Sequence, residues 1–432
     1  MLQGWGKTVM QWAACERSYR GACLLLFLYA GALLSIGMQK DWRLRHEDNG
    51  AFFSALALAH LHLGLAETRA HDVFYNPHTG EKVAYGHHPP GLALLLAAVF
   101  RLAGSEAPWA ARLLPILFHL GSLCLLLLLL RLFWSRWRAW LGGLLLATLP
   151  QSAYFGRMVG YEPLGLFAVM LQLYAYSAYR LQGRRGALAL LAAGVVFGGC
   201  IDWPPLYFSL GLCVVEFIGW CRGRREAHVW SVLALAGLGI AVFDLGHLVY
   251  ANGSLERLKQ VAFANPLVLQ RAVVSPGTFL LSQLEVHRRF YTHAGLLSSL
   301  LTLGTLLWPR LRLIPAQPPG LRTLLGVCFG AGLAYLVCIA GYAMSHQYSQ
   351  FYLLPAVILA MLCTWEALAQ LRRRLRPRLS TGLAMLCVLD VLVTSAVTLH
   401  YRHTRPEAYA LRTTARLRAT SLLPPYPGTP ER

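Results

Sequence analysis

The chain has 432 residues, of which 56% are apolar and 13% are charged, and its formal net charge is +20. Soluble domains have about 25% charged residues, and the mean hydropathy of this chain is +0.48. This composition excludes a disordered protein and argues against a soluble multi-domain enzyme. A high positive charge is typical of nucleic-acid-binding proteins, but here the basic residues stand in short clusters between apolar runs, which is the pattern of a membrane protein.

Apolar runs long enough to cross a bilayer, which takes about 20 helical residues, recur along the chain. We predict about eleven transmembrane helices, at 21–38, 113–133, 139–156, 161–180, 186–201, 205–221, 229–250, 294–308, 323–343, 350–371 and 380–400. The predicted fold is therefore an all-α polytopic membrane protein with one integral-membrane module over residues 1–400. The remaining tail, 401–432, is basic and proline-rich.

The connections between the predicted helices alternate in charge. Arginine clusters occupy every second connection, at 131–138, 180–185, 222–228, 309–322 and 372–379. Because short loops rich in Lys and Arg stay in the cytoplasm, we place these connections and the N-terminus inside. The other connections then lie outside. They include two long outer loops, 39–112 and 251–293, and the tail.

The stretch 89–103 is apolar enough for a short span. If it crossed the membrane, every later arginine cluster would lie outside, against the insertion bias. We therefore predict that 39–112 is one outer loop and that 89–103 forms an interfacial helix within it.

Ionisable side chains collect on this predicted outer face, where such groups at a membrane edge are candidates for function. They are Glu47 and Asp48, His87 and His88, Glu162, Asp202, Arg288 and Arg289, and His346.

Each of these residues also has a purely structural interpretation. The acids precede or begin predicted helices, where a carboxylate can cap free N–H groups. The two histidines are adjacent rather than four apart, which gives little support to a metal site, and the two arginines could be a solvated pair. The ten cysteines show neither a disulfide framework nor zinc-ligand spacing. What favours a functional site is the agreement of these residues on one face.

Four segments of the chain carry a resemblance to a known family: HEDNGAFFSALALAHLHLGL, YGHHPPGLALLLA, GRMVGYEP and IDWPP. With these segments the chain resembles the polytopic glycosyltransferases of the C superfamily, specifically the family 39-like, dolichyl-phosphate-mannose protein mannosyltransferase-like group. The resemblance covers roughly residues 15–400. It implies one span followed by a long outer loop that has an acidic motif and interfacial helices.

The resemblance also implies roles for the acids. Asp48 matches the functional acid of the first outer loop, and Glu47 is the neighbouring alternative. Glu162 matches an acidic position at the outer end of the fourth span.

The basic positions match the family less closely. His88 and Pro89 fall where many relatives have a Lys-Pro pair that contacts the lipid phosphate, so histidine is a departure there. Arg288 and Arg289 fall in the region where relatives place a basic residue near that phosphate. Family donors are polyprenyl-phosphate sugars, and the acceptors are proteins, lipids or glycans.

The residue types fit this chemistry independently. A phosphate leaving group needs positive charge, and an acceptor hydroxyl needs a base such as a carboxylate. We therefore expect a glycosyltransferase in the plasma (inner) membrane, with its active site on the outer face, that uses a polyprenyl-phosphate sugar donor. No cofactor is predicted, and a divalent cation is left open.

Three alternatives stay open, one of which is a non-catalytic assembly or scaffold subunit. A secondary transporter would favour repeated halves with polar sites at the midplane, but the sequence shows no internal repeat. A membrane glycan polymerase or ligase of another fold would share these substrates without the first-loop acids. Solute accumulation would distinguish transport from transfer.

Overall fold

The structure is a computed structural model that describes residues 16–75, 82–85, 88–223, 228–253, 275–308, 318, 320–374, 377–404, 406, 410–412 and 414–415. The α-helices in chain order are α1 (Glu16–Leu34), α2 (Asp48–Thr68), α3 (Gly91–Ala103), α4 (Pro108–Phe133), α5 (Arg136–Thr148), α6 (Pro150–Phe155), α7 (Tyr161–Gln182), α8 (Gly186–Ile201), α9 (Pro204–Cys221), α10 (His228–Asn252), α11 (Pro276–Leu307), α12 (Leu321–Cys338), α13 (Ala340–Ser345), α14 (Leu354–Arg374) and α15 (Pro377–Thr404). A 3-10 helix, Gln347–Leu353, precedes α14.

The polytopic helical fold class is confirmed. Within the described residues, eight helices are long and apolar enough to cross a membrane, so the predicted number of eleven is not confirmed. A small antiparallel sheet, β1 (Val73–Tyr75) with β2 (Lys82–Ala84), lies between α2 and α3. The sequence analysis did not predict this sheet.

Helices α2 and α3 both lie within the predicted outer loop and pack against each other. The 13 residues of α3 extend about 20 Å, too short for a hydrocarbon core of about 30 Å. The 21 residues of α2 would suffice by length and composition. However, a single crossing by α2 would put every later arginine cluster outside, so we retain its interfacial placement as a prediction.

Cysteine labelling at the two ends of α4 tests this orientation. In a background without native cysteines, Glu106→Cys should react with an impermeant thiol reagent added outside, once any outer membrane is permeable. Ser135→Cys, an exposed position within the arginine cluster at the other end of α4, should react only after the membrane is broken, because short Arg-rich loops stay inside. Labelling of Ser135→Cys from outside would invert the topology and refute the outer-face site.

Three predicted segments differ from the structure. The predicted span 323–343 is two helices, α12 and α13, with a break at Ile339. The predicted span 139–156 is two helices, α5 and α6, because Pro150 lacks a backbone N–H and starts a new helix. The predicted loop 251–293 is helical from Pro276, after Ser275, whose side chain accepts a hydrogen bond from the Thr278 N–H. Helix α11 then continues into the predicted eighth span through a kink at Thr292, where φ is 71°.

The packing of α3 brings the outer loop to the ends of the bundle helices. A Cβ atom on Gly91 would lie 2.3 Å from the backbone oxygen of Cys200. Glycine therefore lets the start of α3 rest directly on the last turn of α8. This approach places the residues just before α3 beside the turn between α8 and α9.

Candidate active site

The two acids at the start of α2 have different surroundings. Glu47 is buried, and its Oε2 accepts hydrogen bonds from the N–H groups of Arg43 and Leu44, both at 2.9 Å. Its Oε1 accepts from the guanidinium groups of Arg112 at 3.0 Å and Arg157 at 3.2 Å. Four donors thus hold the Glu47 carboxylate.

The two arginines that hold Glu47 are themselves anchored. Arg112 donates to the Met38 carbonyl at 2.9 Å and lies over the Trp42 ring, 4.3 Å from its centroid. Arg157 also donates to a carbonyl of the chain just after α1, that of Ile36. Burial lowers the pKa of Arg157, whereas Glu47 opposes that shift. This network ties the first loop to α4 and to the chain before α7.

Gly50 fixes the packing of α2 on Trp42. A Cβ atom at Gly50 would lie 2.3 Å from the Trp42 ring, far inside van der Waals contact. Trp42 is therefore held between α2 and the Arg112 guanidinium. The start of α2 is positioned by this contact as well as by Glu47.

Asp48, the first residue of α2, is partly exposed. The next side chain, Asn49, is hydrogen-bonded to the Tyr348 hydroxyl. Two residues before Asp48, the centroid of the His46 ring lies 5.1 Å from that of Tyr348 and 6.0 Å from that of His346. Asp48 therefore lies where the first loop meets the segment that leads into α14.

His88 is held in one orientation by Asp202. The His88 Nδ1–H donates to Asp202 Oδ1 at 3.0 Å, and the Tyr352 hydroxyl donates to Asp202 Oδ2 at 2.7 Å. The Trp203 N–H donates to the same carboxylate at 2.8 Å. The His88 ring stacks on Tyr161, with ring centroids 4.2 Å apart. Asp202 thus bonds to three groups, and its bond to His88 uses Nδ1, so within the described part of the chain Nε2 is the ring nitrogen that can meet a ligand.

Glu162 is buried next to this pair. It is 7% exposed, it interacts electrostatically with Asp202, and its Oε2 has no hydrogen-bond partner among the described residues. The buried Tyr161 hydroxyl also has no partner in that part of the chain. Buried polar groups are nearly always satisfied, so these two atoms are suited to binding a polar ligand.

His346 contacts tyrosines that lie between the start of α2 and Glu162. Its ring stacks on Tyr342 with centroids 3.7 Å apart, and the Tyr342 and Tyr348 hydroxyls are hydrogen-bonded. Both tyrosines interact electrostatically with Glu162. Burial lowers the pKa of His346, which favours its neutral form. The predicted residues Asp48, His88, Glu162, Asp202 and His346 are thereby connected through a chain of contacts.

The predicted arginine pair lies apart from these contacts. Arg288 and Arg289 are on α11, exposed, and both donate to Glu285, at 2.8 and 2.9 Å. Their shared carboxylate neutralises part of their charge. The remaining predicted residue, His87, lies outside the described residues.

Three buried arginines were missed by the sequence analysis, namely Arg112, Arg157 and Arg402. All three lie at ends of helices on the predicted outer side, where the charge rule disfavours arginine. This conflict with the charge rule is the feature of the sequence that could have identified them. As to a metal, the described part of the chain contains no group of three or more His, Cys, Asp or Glu that could hold one.

Residues 87–245 match the family model of dolichyl-phosphate-mannose-protein mannosyltransferase. A search of curated proteins found no match. The apo crystal structure of the Archaeoglobus fulgidus oligosaccharyltransferase is similar, with 14% identity and a TM-score of 0.56 over 96% of this chain and 61% of that chain. ArnT from Cupriavidus metallidurans bound to undecaprenyl phosphate is 17% identical, with a TM-score of 0.56 over 91% of this chain and 69% of that one.

A further similar structure is archaeal AglB from Archaeoglobus fulgidus in complex with an inhibitory peptide and a dolichol-phosphate. It is 12% identical, with a TM-score of 0.52 over 95% of this chain and 60% of that one. This chain thus spans about three fifths of the length of the oligosaccharyltransferase. The chain therefore shares the fold of these polytopic membrane proteins. The family model matches residues 87–245, which is less than half of the chain.

Proposed function

We propose that this chain is a membrane glycosyltransferase that moves a sugar from a polyprenyl-phosphate donor to an acceptor hydroxyl on the outer face of the plasma (inner) membrane. Two similar structures support a lipid-phosphate donor, since one contains undecaprenyl phosphate and the other a dolichol-phosphate. The acceptor is a lipid, a glycan or a protein.

One observation carries the assignment of the base. The Glu47 carboxylate is buried and held by two arginines and two N–H groups, whereas Asp48 beside it is partly exposed. We therefore assign the base to Asp48 and give Glu47 the role of positioning α2. A carboxylate that is to accept a proton must be reachable by the acceptor.

The step is an inverting displacement. Asp48 takes the proton of the acceptor hydroxyl while the acceptor oxygen bonds to the anomeric carbon of the sugar. The bond from that carbon to the phosphate oxygen breaks, and its electron pair leaves with the polyprenyl phosphate. Positive groups around the phosphate stabilise the charge that develops there.

The other predicted residues complete this proposal. Glu162, Asp202, His87 and His346 would contact sugar or acceptor hydroxyls. For the donor phosphate, His88 is oriented by Asp202, and Arg288 and Arg289 remain predicted contacts.

The function is tested by the lipids of a strain that lacks the chain. We expect a polyprenyl-phosphate sugar to accumulate in that strain, because the enzyme that consumes it is missing. The accumulated lipid should disappear when the wild-type chain is restored. Mass spectrometry of extracted lipids measures this. Unchanged lipids, together with uptake of a radiolabelled solute that depends on the chain, would instead support a transporter.

A further inference from the structure

Arg402, near the end of α15, is a buried cation that the proposed reaction does not use. Arg402 is 4% exposed. The guanidinium donates a hydrogen bond to the Gln347 side-chain oxygen. It also lies over the rings of Phe290 and Tyr154, at 5.1 and 5.7 Å from their centroids. Three neutral groups thus hold the guanidinium in place.

Among the described residues, no carboxylate lies within salt-bridge distance of Arg402. Its charged neighbours are instead Arg45 and Arg289. The other buried arginines differ, since Arg112 and Arg157 pair with Glu47. Burial of a charge without a counter-charge is unfavourable. An anion from outside the chain would supply the missing partner.

A second polar group near Arg402 also lacks a partner. The Nε2 atom of His46 is buried and has no hydrogen-bond partner among the described residues. His46 interacts electrostatically with both Arg45 and Arg402. Burial and the adjacent Arg45 lower the pKa of His46 well below its usual value, so a neutral imidazole can present Nε2–H as a donor.

This group of residues adjoins the proposed base. His46 stands two residues before Asp48 in a left-handed conformation, with φ of 66°. Its ring packs on Tyr348, which is hydrogen-bonded to Asn49. A ligand at Arg402 and His46 would therefore lie beside the start of α2.

We infer that Arg402, with Arg45 and His46, forms a binding site for a phosphate group. Guanidinium groups bind phosphate oxygens in pairs, and the two flanking rings fix the plane of the Arg402 guanidinium. The phosphate is that of a polyprenyl phosphate, an assignment that rests on the proposed function, or a phosphate from another source.

Binding by the purified full-length chain in detergent tests this site. Three probes are titrated in parallel while the unfolding temperature is followed: undecaprenyl phosphate, undecaprenol and inorganic phosphate. In the wild type, we expect undecaprenyl phosphate to raise the unfolding temperature and undecaprenol not to. Arg402→Gln should weaken that binding by about 30-fold or more, and Arg402→Lys should weaken it less. Arg101→Gln, on the exposed side of α3, should leave it unchanged.

The ligand-free unfolding temperature separates binding from a structural role. Because Arg402→Gln removes a buried charge without a counter-charge, we expect this temperature to stay the same or to rise. A lower temperature with unchanged affinity would mean that Arg402 only supports the fold, and the inference would be wrong. Equal effects of undecaprenol and undecaprenyl phosphate on the wild type would overturn it too.

The same titration distinguishes this inference from the proposed function. If Arg402→Gln binds undecaprenyl phosphate like the wild type, the site is refuted and the lipid-phosphate donor stands. If the wild type binds inorganic phosphate through Arg402 but does not bind undecaprenyl phosphate, the phosphate site stands and the proposed donor is refuted.

Discussion

Replacing Asp48 with asparagine is expected to slow sugar transfer by about 100- to 10,000-fold, the usual contribution of a general base. Asparagine keeps the size of the side chain and can still accept a hydrogen bond at a helix start, but it cannot take the acceptor proton. The rate of transfer from a radiolabelled polyprenyl-phosphate sugar measures the effect.

Two controls accompany the Asp48→Asn variant. Its unfolding temperature in detergent should match that of the wild type, because only the protonation chemistry is changed. Asn49→Ala, which removes the hydrogen bond to Tyr348 but no carboxylate, should lose less activity. Transfer at the wild-type rate by Asp48→Asn would mean that Asp48 is not the base.

Replacing Glu47 with glutamine is expected to destabilise the protein by about 3–5 kcal/mol, the usual cost of removing one partner of a buried ion pair. Both Arg112 and Arg157 would keep their buried charges without the carboxylate that now bonds to them. Unfolding of the purified variant in detergent, by heat or denaturant, measures the loss.

The double variant Glu47→Gln with Arg157→Gln should recover part of this loss, because one of the two uncompensated charges is then gone. Glu106→Gln is the matched control in the same outer loop. Glu106 is half-buried, and among the described residues it pairs only with an exposed histidine, His62, so its loss should change stability little. If Glu47→Gln unfolds like the wild type but is inactive, the reacting acid is Glu47 rather than Asp48.

The helical segments were predictable because a bilayer requires long apolar runs. The interruptions in those helices could not be predicted, because they depend on partners that are distant in the sequence. Thr292 is held at a positive φ while the following Ala294 N–H donates to Asp390 Oδ2 at 2.8 Å. Asp390 is on α15, almost a hundred residues later, and nothing near Thr292 in the sequence indicates it.

The site was predictable as a set of residues but not as a set of pairs. His88 and Asp202 were both named from their positions at predicted helix ends, but the bond between them joins residues 114 apart. Tyr352, 150 residues from Asp202, supplies another partner. The His88–Asp202 pair arises from the packing of α3 on α8, which depends on a glycine contact that periodicity does not reveal.

The division of roles between the two first-loop acids also required the structure. In sequence, Glu47 and Asp48 are neighbours with the same chemistry. Arg112 and Arg157 lie 65 and 110 residues from Glu47, at the ends of predicted spans, and were not recognised as its partners. Their conflict with the charge rule is a signal that can be sought in other polytopic chains: an outer arginine at the end of a span needs a partner.

The contact between Trp42 and Thr414 has a consequence for the biosynthesis of the protein. The Thr414 hydroxyl donates to the Trp42 carbonyl at 3.2 Å, and both residues are buried although they are 372 positions apart. At about 5–20 residues per second, a ribosome needs roughly 20 to 75 seconds to add the intervening chain. During that time, Trp42 has already been synthesised but Thr414, which packs on it, has not. The first loop therefore reaches its final packing only after Thr414 has been added, so a nascent chain does not acquire a finished site before α15 has been made.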